Sequence, residues 1–163
     1  MPNWAYNQLK LSHKDRTMIE RAVTAFDKES FLQEFIPCPQ SLRETVSGWC
    51  GDPEEQARLE QQQQANVAQF GHKDWYDWCV ANWGTKWDAR DIDYDDGSDT
   101  VFFNTAWSPP IELFNWFARQ YPDSEMQLEF IEEGCQFEGV WSYNPKDGFA
   151  LNEWTPESEE EEY

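Results

Sequence analysis

Positive charge is what this chain has least of. Its 163 residues hold 12 Lys and Arg against 32 Asp and Glu, a formal net charge of -20 at pH 7. Nucleic acid and anionic membrane surfaces are polyanions, so repulsion acting over a Debye length of about 8–10 Å weighs against direct binding to either. A basic protein surface is the partner that the charge favours, and nothing in the sequence specifies an oligomeric state. Long apolar runs are also missing. None approaches the roughly 18 consecutive apolar residues of a bilayer-spanning helix. The opening MPNWAYNQLK has no basic stretch followed by an apolar one, so the expected setting is the cytoplasm.

The residues that usually carry catalysis are sparse. Cysteines stand at 38, 50, 79 and 135 with no CxxC pair and no close histidine; zinc-site spacing is absent, and the reading is structural thiols in a reducing compartment. His13 and His72 are the two histidines, and neither stands beside a serine or cysteine in a nucleophile-elbow context. No glycine-rich phosphate loop appears. The expectation is therefore no cofactor, no metal, no catalytic residue, and binding rather than catalysis.

Aromatics are what the chain has in quantity. Ten Trp and 11 Phe make up most of an aromatic fraction of 17%, and large rings offset an apolar fraction of 39% when a core has to be filled. The length suits one domain.

Periodicity gives the element order. Asn3 to Leu11 reads as a strand in which Trp4 and Tyr6 alternate in one phase and Leu9 and Leu11 in the other, through a bulge or burial on both sides. Ser12 with Asp15 reads as a capping box that opens a helix striped by Met18, Ile19, Ala22, Val23 and Phe26. Pro37-Cys38-Pro39 forces an extended path. Residues 54–70 form a surface helix by propensity, with a thin stripe of Ala57, Leu59, Val67 and Phe70. Trp75, Trp78, Cys79 and Asn82 recur at helical spacing before Gly84 stops the helix. Ile92 and Tyr94, then Val101 and Phe103, alternate about an Asp96-Gly97 turn and predict a hairpin. Ser108 reads as an N-cap with Pro109 following, for a helix of Ile111, Phe114, Phe117, Ala118 and Tyr121. Two strands follow, around Met126–Phe130 and Phe137–Tyr143. The order β-α-(α-α)-β-β-α-β-β predicts an α+β, ferredoxin-like split βαβ fold with a mostly antiparallel sheet. It would carry a helical insertion over about residues 40–84 and an extra C-terminal strand, forming one domain over 1–154. The acidic 155–163 would be a disordered tail.

Two features could carry function. The first is charge placement: residues 1–86 are net -3 and residues 87–163 net -17, and without the tail residues 87–154 remain at net -12. Asp88, Asp91, Asp93, Asp95, Asp96, Asp99, Glu125, Glu129, Glu132, Glu133 and Glu138 are the candidate carboxylates for a basic partner. The aspartate run does not match a calcium loop, since position 6 counted from Asp91 is Asp96 rather than Gly and position 12 is Phe102 rather than Glu. The second feature is Trp75–Asp88, with four tryptophans in fourteen residues. There Trp83, Thr85, Lys86, Trp87 and Asp88, joined by Trp107, could form a polar ligand site walled by indoles. Equally, these rings could be core and Lys86 could pair with a carboxylate.

Read together, Met1-Pro2-Asn3-Trp4 with Asn7 and Leu9, Asn82-Trp83-Gly84-Thr85-Lys86-Trp87-Asp88, Thr105-Ala106-Trp107-Ser108-Pro109-Pro110, and Glu132-Glu133-Gly134 with Phe137 and Gly139 resemble the YubB-type ferredoxin-like family of plasmid- and phage-encoded proteins. Ala5 stands where that opening motif has a cysteine, which removes any thiol or metal role there. The resemblance implies the ferredoxin-like fold and a mobile-element origin, and names no activity. The functional expectation is thus an acidic, non-catalytic interaction protein, in its sharpest form a nucleic-acid mimic that occupies a basic host defence or DNA-processing protein. The alternative is a small-ligand binder or enzyme at the NWGTKWD motif.

Overall fold

The computed structural model describes residues 2–95, 99–134 and 136–155. Strand β1 (Trp4–Ser12) and helix α1 (Arg16–Asp27) open the chain, followed by α2 (Phe31–Phe35), α3 (Gln40–Arg43), α4 (Pro53–Phe70) and α5 (Trp75–Trp83). A hairpin of β2 (Arg90–Tyr94) and β3 (Thr100–Ala106) leads to α6 (Ile111–Gln120), then β4 (Glu125–Glu132), β5 (Glu138–Asn144) and β6 (Gly148–Trp154). The sheet order is β2-β3-β1-β4-β5-β6, antiparallel at every pairing. Setting aside α2 to α5 and the last two strands leaves β1-α1-β2-β3-α6-β4 with β1 between β3 and β4, the split βαβ arrangement that the sequence predicts.

The two-phase pattern of β1 reflects neither a bulge nor burial on both sides: one face is buried and the other carries partly exposed side chains. Its pairing with β3 and β4 runs without interruption from Trp4 to Ser12. Ala5, Asn7 and Leu9 are buried on the helix side, while Tyr6 on the other side is exposed. Asn7 is the polar member of the inner row: its Nδ2 donates to Thr105 Oγ1 at 2.9 Å and to the Ala5 and Phe103 carbonyls.

Several local expectations are corrected. Ser12 stays in β1, and α1 is capped by Asp15, which accepts from Thr17 N at 2.9 Å. Ser108 does not cap α6, whose N-cap is Pro110; its hydroxyl instead donates to the Gly84 carbonyl at 2.6 Å. Of the apolar residues expected to seat α4, Ala57 and Val67 are exposed and Leu59 is half-buried, while Phe70 at the end of the helix packs against the core. The buried Asn66 anchors this helix as well, its Nδ2 donating to Thr45 Oγ1 and the Lys73 carbonyl at 2.9 Å each. The helical insertion starts earlier than expected, with α2 at Phe31. Beyond the expected extra strand lies β6, set up by an Asx turn in which Asn144 Oδ1 accepts from Lys146 N and Asp147 N. The tail, from residue 156, lies outside the described residues.

The core fills the space between helices and sheet. Phe26 stacks on Phe31 with ring centroids 3.9 Å apart, and Phe31 also meets Phe114 and Phe117. Phe103, Leu9, Leu128 and Trp141 close the core from the sheet side. Each ring so buried contributes about 1.5–3 kcal/mol by area removed from water. Among the described residues, no helix covers the opposite face of the sheet.

Candidate functional site

Strand register decides which side chains stand on the uncovered face. Tyr6 pairs with Ile131 and Gln8 with both Phe102 and Glu129. Phe102 pairs with Asp93, Ile131 with Glu138, Glu138 with Trp154, and Ser12 with Glu125. Directly paired residues share a face, so Asp93, Glu125, Glu129 and Glu138 lie on one surface with Tyr6, Phe102 and Trp154. These three rings are 44%, 38% and 47% exposed and border one concavity rather than standing singly. Tyr6, Phe102, Glu129, Ile131, Glu138 and Trp154 border a shallow concavity of about 470 Å³. Glu138 accepts from the Trp154 indole N–H, and Glu129 accepts from Gln127 Nε2 at 2.7 Å; both carboxylates are thereby oriented without being neutralised.

The remaining candidate acids divide by use. Glu132 is buried, and its Oε2 accepts from Gly134 N and Gln136 N at 2.9 and 3.1 Å, closing the turn between β4 and β5. Glu133 Oε2 accepts from Trp4 N at 3.1 Å. Asp91 has φ +53 at the irregularity between β2 and β3, and its carboxylate accepts from Asn104 Nδ2. Asp95 and Asp99 sit by the hairpin end, where Asp95 N donates to the Thr100 carbonyl; Asp96 lies outside the described residues. The carboxylates of residues 88–99 and 125–138 therefore do not form one continuous surface. Among the described residues, no group of three or more His, Cys, Asp or Glu side chains is placed to hold a metal ion.

The tryptophan-rich motif also splits. Trp83 is buried, donates from Nε1 to the Ile36 carbonyl at 2.8 Å and packs edge-on against Trp78. Thr85 is buried and donates to the Ala106 carbonyl at 2.8 Å. Asp88 caps α2 from a distance of some fifty residues along the chain: its two oxygens accept from Leu32 N and Gln33 N at 2.9 Å each, and Oδ1 also from Ala89 N. Burial raises the Asp88 pKa above the ordinary carboxylate value, against the lowering pull of those backbone N–H groups. These residues build the fold. Lys86 is different, for its ammonium lies 4.1 Å from the Trp87 ring centroid and 3.8 Å from that of Trp107. It has no carboxylate partner within salt-bridge distance among the described residues.

Sequence reasoning missed the aromatic part of the uncovered face. Tyr6 was visible as an alternating strand residue and Phe102 falls between the alternating Val101 and Phe103, but Trp154 belongs to the unpredicted β6. An apolar crevice of about 140 Å³ between α1 and the β2–β3 edge, reached by Tyr94 and Asp99, is small and has few polar groups converging on it. No helix among the described residues is long and apolar enough to cross a membrane.

The family model for the ferredoxin-like domain in Api92-like protein matches residues 82–163. The matched span contains the Lys86 cage and all strands after β1. The crystal structure of protein Api92 from Yersinia pseudotuberculosis superimposes with a TM-score of 0.56 at 10% sequence identity, covering 97% of this chain and 100% of that one. At that identity the likeness concerns the fold. No curated protein sequence matches the chain. Sheet order, helix placement and the match over half the sequence agree: the chain belongs to the family of the ferredoxin-like domain in Api92-like protein.

Proposed function

We propose that this chain is a non-catalytic interaction protein whose uncovered sheet face docks a basic protein surface. The observation that carries this reading is the meeting of Tyr6, Phe102 and Trp154 with the carboxylates Asp93, Glu125, Glu129 and Glu138 on one face without a helix. Aromatic anchors supply most of the binding energy of an interface, while surrounding charges select the partner and speed encounter. The -20 charge adds long-range attraction for a cationic partner. In its sharper form the carboxylates stand in for phosphates, and the partner is a host defence or DNA-processing protein in the cytoplasm. The YubB-type resemblance supports a phage or plasmid origin consistent with that role.

The test is affinity capture from host lysate at low and high salt, with duplex DNA as competitor, using wild type, Tyr6→Ser/Trp154→Ser and Glu129→Lys/Glu138→Lys. A basic protein captured at low salt, released by salt and lost in both variants is expected; displacement by DNA would establish mimicry. Capture of no basic protein, or capture indifferent to salt, rejects the reading. A dimer by light scattering that both variants abolish would reassign the face to self-association.

The alternative of a small-ligand site at the NWGTKWD motif is favoured by one specific observation, the Lys86 ammonium held by indoles rather than by a carboxylate.

A further inference from the structure

In a chain with 12 basic residues, four of them line one cleft: Lys28, Arg43, Lys86 and Arg90. They come from four separate places, the turn after α1, the end of α3, the loop after α5 and the start of β2. No ion pair within salt-bridge distance engages any of the four among the described residues. The cleft measures about 430 Å³, within the range of small-ligand sites. Its inner surface is formed by the buried Cys38, Cys79 and Trp83, with Trp75 and Trp87 as walls.

The two acids lining the cleft, Glu29 and Asp88, offset part of this charge but leave the lining with more bases than acids, and neither is paired with one of the four cations. Asp88 is occupied by backbone N–H groups of Leu32, Gln33 and Ala89, and Glu29 accepts from Asp91 N at 3.3 Å. Two of the cations are positioned by rings: Lys86 by Trp87 and Trp107, and the Arg90 guanidinium 5.2 Å from the Trp87 centroid. Indoles hold a cation in place without cancelling its charge. Left-handed backbone occurs beside three of these groups: Glu29 follows Lys28, Asp91 follows Arg90, and Trp107 meets Lys86. Glu29, Asp91 and Trp107 have φ +50, +53 and +67, and are the non-glycine residues of positive φ among those described. Acids more than a Debye length of about 8 Å away are attenuated at physiological ionic strength, so the lining, four bases against Glu29 and Asp88, dominates the potential in the cleft.

We propose that this cleft binds a small molecule carrying two or more negative charges on oxyanion groups, a chemistry shared by phosphate monoesters and by di- or tricarboxylates. Arg43 and Arg90 supply the fork geometry that matches such a group, Lys28 and Lys86 supply point charges, and Trp75 offers an apolar wall for the rest of the ligand. The site shares no residue with the sheet face, and it rests on and deepens the small-ligand reading of the NWGTKWD motif, whose Trp83, Lys86, Trp87 and Asp88 line it.

Calorimetry and tryptophan fluorescence on the full chain test it, with adenosine 5′-monophosphate and citrate as probes and adenosine as the uncharged control. One or both anions should bind with Kd below about 1 mM at low salt and change the tryptophan emission, while adenosine does neither. Lys28→Ala and Arg43→Ala should each weaken binding about tenfold. Both side chains are exposed and unpaired, so the melting temperature should stay put. Arg119→Ala and Lys146→Ala, away from the cleft, should bind as wild type. Preference for the monophosphate assigns phosphate esters, and preference for citrate assigns polycarboxylates. No binding of either anion to folded wild type at about 10 mM, or undiminished binding by Arg43→Ala/Arg90→Ala, overturns the proposal.

Discussion

The Lys86 ammonium lies 3.8 Å from the centroid of the Trp107 ring, bringing a lysine just past α5 against a tryptophan just before α6. Trp107 holds φ +67 to present that ring, with its N–H donating to the Asn3 carbonyl at 2.8 Å. A contact that maintains an unfavourable backbone conformation should be measurable. In a double-mutant cycle of Lys86→Met and Trp107→Leu followed by urea unfolding, the coupling should be about 0.5–2 kcal/mol. Additive variants would show that the two groups meet without stabilising one another.

Asp88 should behave as a structural residue. Asp88→Ala leaves the N–H groups of Leu32 and Gln33 at the start of α2 without their acceptor, and should cost about 2 kcal/mol. The pH dependence has a definite sign. Because burial raises its pKa in the folded state above the ordinary value of 3.8, folding favours the protonated group. Its contribution is therefore largest below that ordinary value and declines as pH rises through the raised one. The stability difference between wild type and Asp88→Ala, measured by urea titration at stepped pH, should shrink over that interval; a difference that grows would contradict the assignment.

Carboxylates that looked equivalent in the sequence should separate cleanly. Glu132→Ala removes the acceptor for Gly134 N and Gln136 N from a buried position and should destabilise by about 1–3 kcal/mol. Glu129→Ala and Glu138→Ala, on the uncovered face, should change stability by about 0.5 kcal/mol or less. Thermal melts of the three variants check this, and equal losses would mean that the displayed acids also hold the fold.

Gly139 is the point at which β5 passes close to its neighbours. A Cβ there would come within 2.6 Å of both the Asn152 carbonyl oxygen and the Phe130 ring. Gly139→Ala should therefore destabilise by more than about 2 kcal/mol and loosen β6, seen as faster amide exchange at Asn152. An unchanged melt would place those strands further apart.

Most of the element order was legible because alternation and helical stripes are local properties. The hairpin, α1, α5, α6 and the paired strands β4 and β5 all announce themselves through residues within one or two turns or strand lengths of each other. The caps did not. Ser12 and Ser108 satisfy the local pattern for an N-cap, yet one is claimed by strand pairing and the other by the Gly84 carbonyl. Part of the seat of α4 was missed for a related reason, since a polar Asn66 bonded to Thr45 and Lys73 leaves no hydrophobic signature.

The sequence by itself determined the ferredoxin-like class, the acidity of the second half and the aromatic wealth of the core, because periodicity, charge and ring count do not depend on long-range contacts. Only the tertiary structure decided which charges are spent inside the fold and which face outward. Asp88 reaches Leu32, Lys86 reaches Trp107, and four scattered bases converge on one cleft in an acidic protein. Sheet register and helix packing set those meetings, and register is a relation between distant segments that no local pattern encodes.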